Sequence, residues 1–270
     1  MTSERLLVPD TTAGPTLWTR FLAAPNAVRL VSLIVVMSSW ELYGRTNPIF
    51  ASYPSAIISA ATRTMVDKVL PALQTTLWGF TVGFLIAAPL GILFGIALGR
   101  VKLLEVSMTP FMMAIYSTPR VTLIPLLVLW LGIDFRLRVA IVALSSIFPI
   151  IINMHAGVKE VDRELLDVGR AFTASRRQEL LTIVLPGSLP FMFTGLRIGL
   201  ARALGGVITA ELTAAVVGIG RLIIDGARFL RLDEMFVPLI LFGILSISFT
   251  AILGFLQRLA MPWHTAATKI

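Results

Sequence analysis

Four ionisable residues interrupt otherwise apolar stretches of this 270-residue chain, and these are Arg120, Arg197, Arg202 and Glu211. Charged side chains in such stretches are costly, and they usually face a cavity or a partner. Arg120 lies between two prolines, where its guanidinium could face a pathway and attract an anion. Two other arrangements are equally compatible with the sequence: snorkelling, or pairing with an acid elsewhere.

The other charged and polar candidates are read from their helical spacing. Arg197 and Glu211 share a helix face but stand about 21 Å apart, and Arg202 falls on the face opposite Glu211. We therefore expect both arginines to be paired structurally. Asn153 is a weaker candidate for a pathway, and a lone His155 nearby is typical of a neutral, hydrogen-bonded histidine.

No constellation for catalysis is present in the sequence. The chain has two histidines and no cysteine, and it lacks the Gly-rich loop that cradles nucleotide phosphates. We predict no catalytic residue, no metal site and no bound cofactor. The net charge of +8 comes without an aromatic-interleaved basic stripe, so nucleic-acid binding is not expected.

Composition predicts an all-α, multi-pass membrane protein. Hydrophobic residues make up 56% of the chain and charged residues only 14%, with a mean hydropathy of +0.87. A membrane-crossing helix needs roughly 20 apolar residues. Six spans are predicted, at Ala27–Gly44, Pro71–Leu98, Met108–Leu131, Val139–Ala156, Leu189–Val217 and Phe236–Arg258.

The distribution of basic residues favours one orientation. No secretory signal peptide precedes the first span, so residues 1–26 are predicted to be a cytosolic arm and 261–270 a cytosolic tail around a membrane domain of 27–260. This places Arg100, Lys102 and Lys159 inside, where basic residues are enriched. Basic residues on the opposite side weaken the argument without reversing it.

Prolines and glycines occur inside several of the predicted spans. Pro89, Pro119, Pro125 and Pro149 each free a backbone carbonyl, which is tolerated where neighbouring helices or water satisfy it. A single proline of this kind usually marks a bent packing helix, whereas the whole set suggests a pathway between helices. The series Gly91, Gly95 and Gly99 favours close helix packing.

A polar insert, residues 159–187, separates the fourth and fifth spans. Asp162–Phe172 has the pattern of a short helix with Leu165, Leu166, Gly169 and Phe172 on one face. Ser175 and Gln178 have capping-box spacing for a second helix, which we expect Pro186 to end. Two short helices at an angle would form a rigid knob, although a loop lying on lipid headgroups is an alternative.

The insert resembles the cytoplasmic signature of ATP-binding-cassette importer permeases. That signature reads Glu-Ala-Ala, three residues, Gly, nine residues, Ile, one residue, Leu-Pro. Asp167-Val168-Gly169 stand for its first three residues, Thr173 for its glycine, and Ile183, Leu185 and Pro186 keep the register. A β-branched threonine disfavours positive φ, so the bend is expected to differ from the family's.

Further matches point to the nitrate, sulfonate, taurine and bicarbonate branch of these permeases. They include Trp40-Glu41-Leu42, Tyr53-Pro54-Ser55, Phe148-Pro149-Ile150, Ala210-Glu211-Leu212 and Pro262-Trp263-His264. The resemblance implies the type I importer permease fold in the inner membrane, a homodimer, two cytosolic ATPase subunits that bind ATP-Mg, and a substrate-binding protein. It also implies a role in ATPase coupling for Glu164, Asp167, Gly169, Thr173, Ser175, Ile183, Leu185 and Pro186.

Two functions from different classes are therefore weighed. The first is the permease subunit of an ATP-driven importer for a small, anionic solute, with Arg120, Asn153 and Glu211 along its pathway. The second is a secondary transporter that works alone on an ion gradient, with the insert as a gate. A membrane enzyme acting on lipid ranks last, since no paired acids or metal ligands support it.

Overall fold

The computed structural model describes residues 25–48, 50–214 and 217–263, and every regular element in these ranges is helical. The all-α prediction is confirmed. The predicted residues 1–24 of the arm and 264–270 of the tail lie outside the described ranges. The helices are α1 (Pro25–Thr46), α2 (Pro54–Thr64), α3 (Leu70–Arg100), α4 (Lys102–Ser117), α5 (Ile124–Leu131), α6 (Phe135–Lys159), α7 (Arg163–Ala171), α8 (Arg176–Glu179), α9 (Leu185–Ala214), α10 (Ile219–Arg228) and α11 (Leu232–Ala260).

Five helical stretches are long and apolar enough to cross a membrane, and a sixth forms if α4 and the bent segment after it count as one span. The prediction of about six spans is thereby confirmed. Most boundaries shift by a few residues. The described part of the fifth span is helical to Ala214, Val217 lies outside the helix, and two helices outside the predicted spans, α2 and α10, were not predicted.

Residues up to Ser59 form one compact unit, whose described part is α1 and the start of α2. Trp40 Nε1 donates to the carbonyl of Ser52 at 2.8 Å. The carboxylate of Glu41 accepts from the Ser55 amide at 3.0 Å and from its hydroxyl at 2.6 Å. Glu41 thus satisfies one backbone donor in the first turn of α2 and holds the Ser55 side chain.

In the second unit, from Ala60 onward, α3 and α6 pack in parallel along a seam of glycines. A Cβ at Gly91 would lie 2.8 Å from Ile150 Cγ2, and one at Gly95 2.5 Å from Met154 Cβ. Gly99 meets Val158 in the same register, one turn further on. The predicted packing role of this glycine series is confirmed, and Pro89 lies inside α3 without ending it.

Helix α9 packs antiparallel on the other side of α6. Gly195 approaches the Asn153 Cβ and Gly199 approaches Ile150, so residue numbers rise along one helix as they fall along the other. The end of α3, the end of α6 and the start of α9 therefore lie on the same side of the bundle. The insert joins α6 to α9 on that side.

The third span is not one straight helix. The chain breaks after Ser117, passes through a 3₁₀ turn at Arg120–Leu123 and resumes as α5, with a bend of 90° between the two parts. Pro119 sits at the break in an extended conformation, and Pro125 occupies the first turn of α5, where a missing N–H costs little. Pro149, in contrast, lies inside α6 without ending it.

Pro186 does not end the second insert helix, which corrects the sequence-based expectation. The helical path runs from Arg176 to Ala214 through a π turn at Leu180–Val184. The Leu185 amide bonds back five residues to the Leu180 carbonyl, and this wider turn makes room for the proline that follows. A second π turn, at Met65–Val69, has the same sequence at its end. Val69 is its last residue, and Leu70 and Pro71 follow.

Candidate functional site

Helix α7 of the insert has well-defined ends. Asp162 accepts a hydrogen bond from the Glu164 amide at 2.9 Å and caps the N-terminus. At the C-terminus the Ala174 amide bonds the Gly169 carbonyl at 3.0 Å, which is the Schellman arrangement. Thr173 provides the left-handed residue with φ of 56°. The left-handed bend is therefore made despite the β-branched side chain, and a difference from the family's bend stays a prediction.

The helix after this bend begins with the predicted capping box. The Ser175 hydroxyl accepts from the Gln178 amide, and the Gln178 side chain accepts from the Ser175 amide at 2.8 Å. Both bonds satisfy donors at the start of a helix. Because this helix continues into α9, the insert is a rigid extension of the fifth span with α7 mounted on its side.

The inner side of α7 is fixed by apolar packing. Leu166 and Ile183 contact a buried cluster that contains Met154, Val158 and Val184. A Cβ at Gly169 would lie 2.8 Å from Ile183 Cδ1, so a larger residue there would displace the end of the Ile183 side chain where α7 crosses the second helix. These contacts hold α7 against the ends of α6 and α9.

The outer side of α7 carries three exposed apolar side chains: Leu165 at 55%, Val168 at 54% and Phe172 at 81% exposure. We call these three residues the docking face. The predicted shared face of Leu165, Leu166, Gly169 and Phe172 is wrong, since Leu166 and Gly169 point inward. Glu164 and Asp167 flank the docking face and are exposed, and Asp167 pairs with Arg170 at 3.1 Å.

Ion pairs tie the base of the insert to the neighbouring spans. Arg100, at the end of α3, donates to Glu179 at 2.5 Å, and both side chains are largely buried. Glu105 on α4 bonds Lys159 at the end of α6 and lies 3.3 Å from His155 Nε2. Such partly buried, hydrogen-bonded charges are stronger than exposed surface pairs. The base of the insert is thus fastened to three spans.

A cavity of about 490 Å³ opens between the break in the third span and the middle of α9. Its two charged residues are Arg120 and Arg202, and none of the described residues that line it is acidic. Its walls also include hydroxyl groups and small apolar residues, and the lining consists of Tyr116, Ser117, Thr118, Pro119, Arg120, Val121, Ile124, Ile141, Ser145, Ala201, Arg202, Gly205, Gly206 and Thr209.

The polar groups of this cavity have few protein partners. Arg120 lies 5.6 Å over the Tyr116 ring, a cation–π contact, and the nearby Arg202 repels it. Neither arginine is within 4 Å of an acid in the described ranges. The Ser145 hydroxyl is buried without a hydrogen-bond partner there. Gly206 faces it, since a Cβ there would lie 2.5 Å from Ser145 Oγ.

The structure separates the three predicted pathway residues. Arg120 lines the cavity, whereas Asn153 and Glu211 do not. The Asn153 side chain donates to the carbonyl of Pro149 at 2.8 Å and packs against α9 beside Gly195. That hydrogen bond and that contact are local packing interactions within the bundle.

Glu211 is fully buried and anchors α10. Its carboxylate accepts from Thr76 Oγ1 at 2.8 Å and from the Gly220 amide at 2.9 Å. Thr76 in turn accepts from the Ile219 amide at 3.0 Å. The acid and the threonine therefore satisfy the first donors of α10 from two different spans. A packing role for Glu211 was not predicted from the sequence.

Sequence reasoning also missed Arg202 and Ser145. Arg197 is paired as expected, donating to Gln257 at 2.7 Å, but Arg202 faces the cavity. Neither Arg197 nor Arg202 has an acid three or four residues away, so the local sequence does not distinguish the paired arginine from the one in the cavity. Nothing in the local sequence distinguishes Ser145 from Ser146, which donates to the Val142 carbonyl.

Comparison with known proteins gives consistent matches over most of the chain. The model of a family described as binding-protein-dependent transport system inner membrane component matches residues 87–263. A putative aliphatic sulfonates transport permease protein of Bacillus subtilis is 27% identical, with 86% of each chain covered. The taurine transport system permease protein of Escherichia coli is 27% identical, covering 92% of this chain and 93% of its own length.

Two further comparisons extend this pattern. The nitrate import permease protein of Synechocystis is 26% identical over 90% of this chain and 92% of the relative. Among solved structures, an inward-facing methionine ABC transporter matches with a TM-score of 0.58 and 19% identity, covering 74% of this chain and 97% of the other. At that identity the structural match shows the fold alone.

Proposed function

This chain belongs to the family of binding-protein-dependent transport system inner membrane components, the permeases of ABC importers, and from that premise we propose that it forms the pathway for a small anionic solute. The observation that carries the proposal is the cavity with Arg120 and Arg202 and no lining acid. Relatives named for sulfonates, taurine and nitrate support an anion, since these substrates all carry an oxyanion group.

The partners we propose follow from the same family. Two copies of the chain form the membrane part, and two separate ATPase subunits bind ATP-Mg in the cytosol and supply the energy. A binding protein outside the membrane delivers the solute. This chain has no catalytic role and binds no cofactor. Its arm and tail, like the insert, lie on the cytosolic side.

The docking face is the proposed contact with the ATPase. Its three apolar side chains are exposed at the tip of an element that is otherwise charged, and Glu164 and Asp167 flank them. A cluster of exposed apolar residues with a polar rim is typical of a protein interface. Gly169, Thr173 and Ser175 shape the bend behind it, and Ile183 and Leu185 hold it to the bundle.

The geometry supports a mechanical route from the ATPase to the cavity. The helical path that begins at Arg176 in the insert reaches Arg202, roughly 40 Å away at 1.5 Å per residue. Because α7 is packed against this path, a displacement of the docking face moves the wall of the cavity as well. Alternating access follows when two such units rock against each other.

Substitution of the docking face tests this coupling. Val168→Asp and Phe172→Asp place a charge in an interface that we expect to be desolvated, and each is expected to abolish co-purification with the ATPase. Thr182→Asp, at an exposed site of the same insert, is the control and is expected to retain the complex. Complex and transport retained by both docking-face variants would contradict the proposed coupling.

Reconstituted vesicles separate an importer from a stand-alone carrier. Uptake is expected to require the ATPase, ATP and the binding protein together. Uptake driven by an ion gradient with this chain alone would overturn the proposed function. The same assay, run with sulfonates, nitrate and a neutral solute of similar size, tests the preference for anions.

A further inference from the structure

Two arginines supply the charge of the cavity. Arg120 and Arg202 come from different spans, line the same space and repel each other. In the described part of the chain no acid neutralises either one. Two guanidinium groups without acids, in a site partly shielded from water, favour an anion that both can bind.

The Ser145 hydroxyl is a second polar feature of the cavity, separate from the two guanidinium charges. Ser145 is 1% exposed, lies in the cavity wall and has no hydrogen-bond partner in the described ranges. Its neighbour Ser146 donates to a backbone carbonyl at 2.8 Å, as helical serines commonly do. Buried polar groups nearly always have a hydrogen-bond partner, and an acceptor atom of a bound ligand would be the partner of this hydroxyl.

The volume of the cavity and the polarity of the rest of its wall also bear on the ligand. Val121, Ile124 and Ile141 form an apolar surface next to the charged groups. A cavity of about 490 Å³ far exceeds the volume of a small inorganic anion. Room beside the charged pair is therefore left for an uncharged organic body.

We propose that this cavity is a binding site for an organic oxyanion with an otherwise uncharged body, held at its head by Arg120, Arg202 and Ser145. The proposal rests on the proposed function as an anion permease. It adds a selectivity, because the lining has no carboxylate to receive an ammonium group. A zwitterionic sulfonate such as taurine is disfavoured, since its ammonium would face two guanidinium charges.

Ethanesulfonate and taurine form a matched pair of probes, because they differ only by the amino group. Binding is measured by saturation-transfer NMR titration on the permease–ATPase complex in nanodiscs, without the binding protein, so that only the membrane site contributes. Ethanesulfonate is expected to bind roughly tenfold or more tightly than taurine, as one unfavourable charge contact implies. Equal or tighter binding of taurine overturns the selectivity.

Variants locate the site. Arg120→Gln and Arg202→Gln are each expected to weaken ethanesulfonate binding roughly tenfold or more, since each removes a charged hydrogen bond. Arg136→Gln removes the same charge from an exposed position outside the cavity and is expected to leave binding unchanged. Failure of the unsubstituted complex to bind ethanesulfonate, or equal loss in all three variants, overturns the site.

Ser145→Ala separates a ligand role from a structural one. Removal of a hydroxyl that has no protein partner is expected to leave the unfolding temperature unchanged or higher, while ethanesulfonate binding weakens several-fold. A lower unfolding temperature with unchanged binding contradicts the assignment. Loss of the site in these assays leaves the importer function standing if ATP-dependent uptake persists, and absence of such uptake removes the function itself.

Discussion

At the residue scale, Thr173 occupies a backbone conformation that glycine adopts more easily. Its φ of 56° costs a residue with a Cβ about 1–2 kcal/mol. Thr173→Gly is therefore expected to stabilise the insert by about 1 kcal/mol. This figure is the relief of backbone strain less the extra conformational entropy that glycine gives the unfolded chain. Slower amide hydrogen exchange at residues 170–175, measured by mass spectrometry, checks this.

The control for this position is Thr173→Ala. Alanine keeps the Cβ that causes the strain, so exchange in residues 170–175 is expected to stay close to that of the unsubstituted protein. If alanine protects these amides as well as glycine does, the left-handed backbone is not the source of the strain. The same Schellman geometry occurs at Leu230, with φ of 54°, where the Arg231 amide bonds the Gly226 carbonyl at 2.8 Å.

Glu211 gives a second prediction at this scale. Glu211→Leu keeps a similar side-chain volume but removes both carboxylate oxygens, so the buried Gly220 amide loses its acceptor and the Thr76 hydroxyl loses one of its partners. The loss is expected to be about 1–3 kcal/mol, the cost of an unsatisfied buried group. Faster proteolysis within residues 217–231 reports it. Glu164→Leu, at an exposed site, is the control, and equal effects of the two contradict the anchoring role.

At the scale of elements, the contact between α3 and α6 depends on glycines rather than on any polar bond. Gly95→Ala places a Cβ 2.5 Å from Met154 Cβ and 2.9 Å from the Ile151 carbonyl oxygen, and backbone atoms cannot move away cheaply. We expect a loss of about 1–3 kcal/mol and a lower unfolding temperature in detergent.

Gly254 on α11 is the matched control, since a Cβ there meets no atom within 4 Å among the described residues. Gly254→Ala is expected to be neutral or stabilising by about 0.5–1 kcal/mol, because alanine is the better helix former. Should Gly254→Ala destabilise as much as Gly95→Ala, the close contact of Gly95 with Met154 and Ile151 would not be the cause of the loss.

The elements also show how one helical path serves two tasks. Its first part holds α7 through Ile183, and its middle carries Arg202 into the cavity. The π turn at Leu180–Val184 lets the path continue past Pro186. A helix that ended at this proline would leave a flexible joint between the docking face and the cavity, and force would not be transmitted across it.

At the scale of the whole molecule, the two ends of the spans are distinguished by their short helices. Helix α7 lies beside the basic residues at the ends of α3 and α6, whereas α10 joins α9 to α11 at the other end. The chain contains no cysteine, so single cysteines can be introduced without removing any. Orientation is therefore directly measurable.

Phe172→Cys and Phe229→Cys are the two reporters, at residues that are 81% and 69% exposed. A thiol reagent that does not cross membranes is expected to label Cys at 229 in intact cells. Cys at 172 is expected to react only in inside-out vesicles, and only weakly once the ATPase is bound. Labelling of position 172 from outside would reverse the topology and remove the docking face from the cytosol.

The sequence by itself determined the helical class, the number of spans and the two helix starts in the insert. These features depend on residues close together in the chain: apolar runs of sufficient length, Asp162 as a cap, and the Ser175–Gln178 box. Local hydrogen bonding and transfer into lipid fix them wherever the segment lies in the fold. Family membership followed from the same short patterns in order.

Only the tertiary structure decided which side of each helix faces inward and which charges meet. Glu211 bonds Thr76, 135 positions away, and Arg202 faces Arg120 across a bend that the apolar run conceals. Leu166 is partly buried while Leu165 is exposed because Ile183 arrives from the next helix. Contacts between distant residues are set by packing of whole helices, and that packing is not encoded in any short window of the chain.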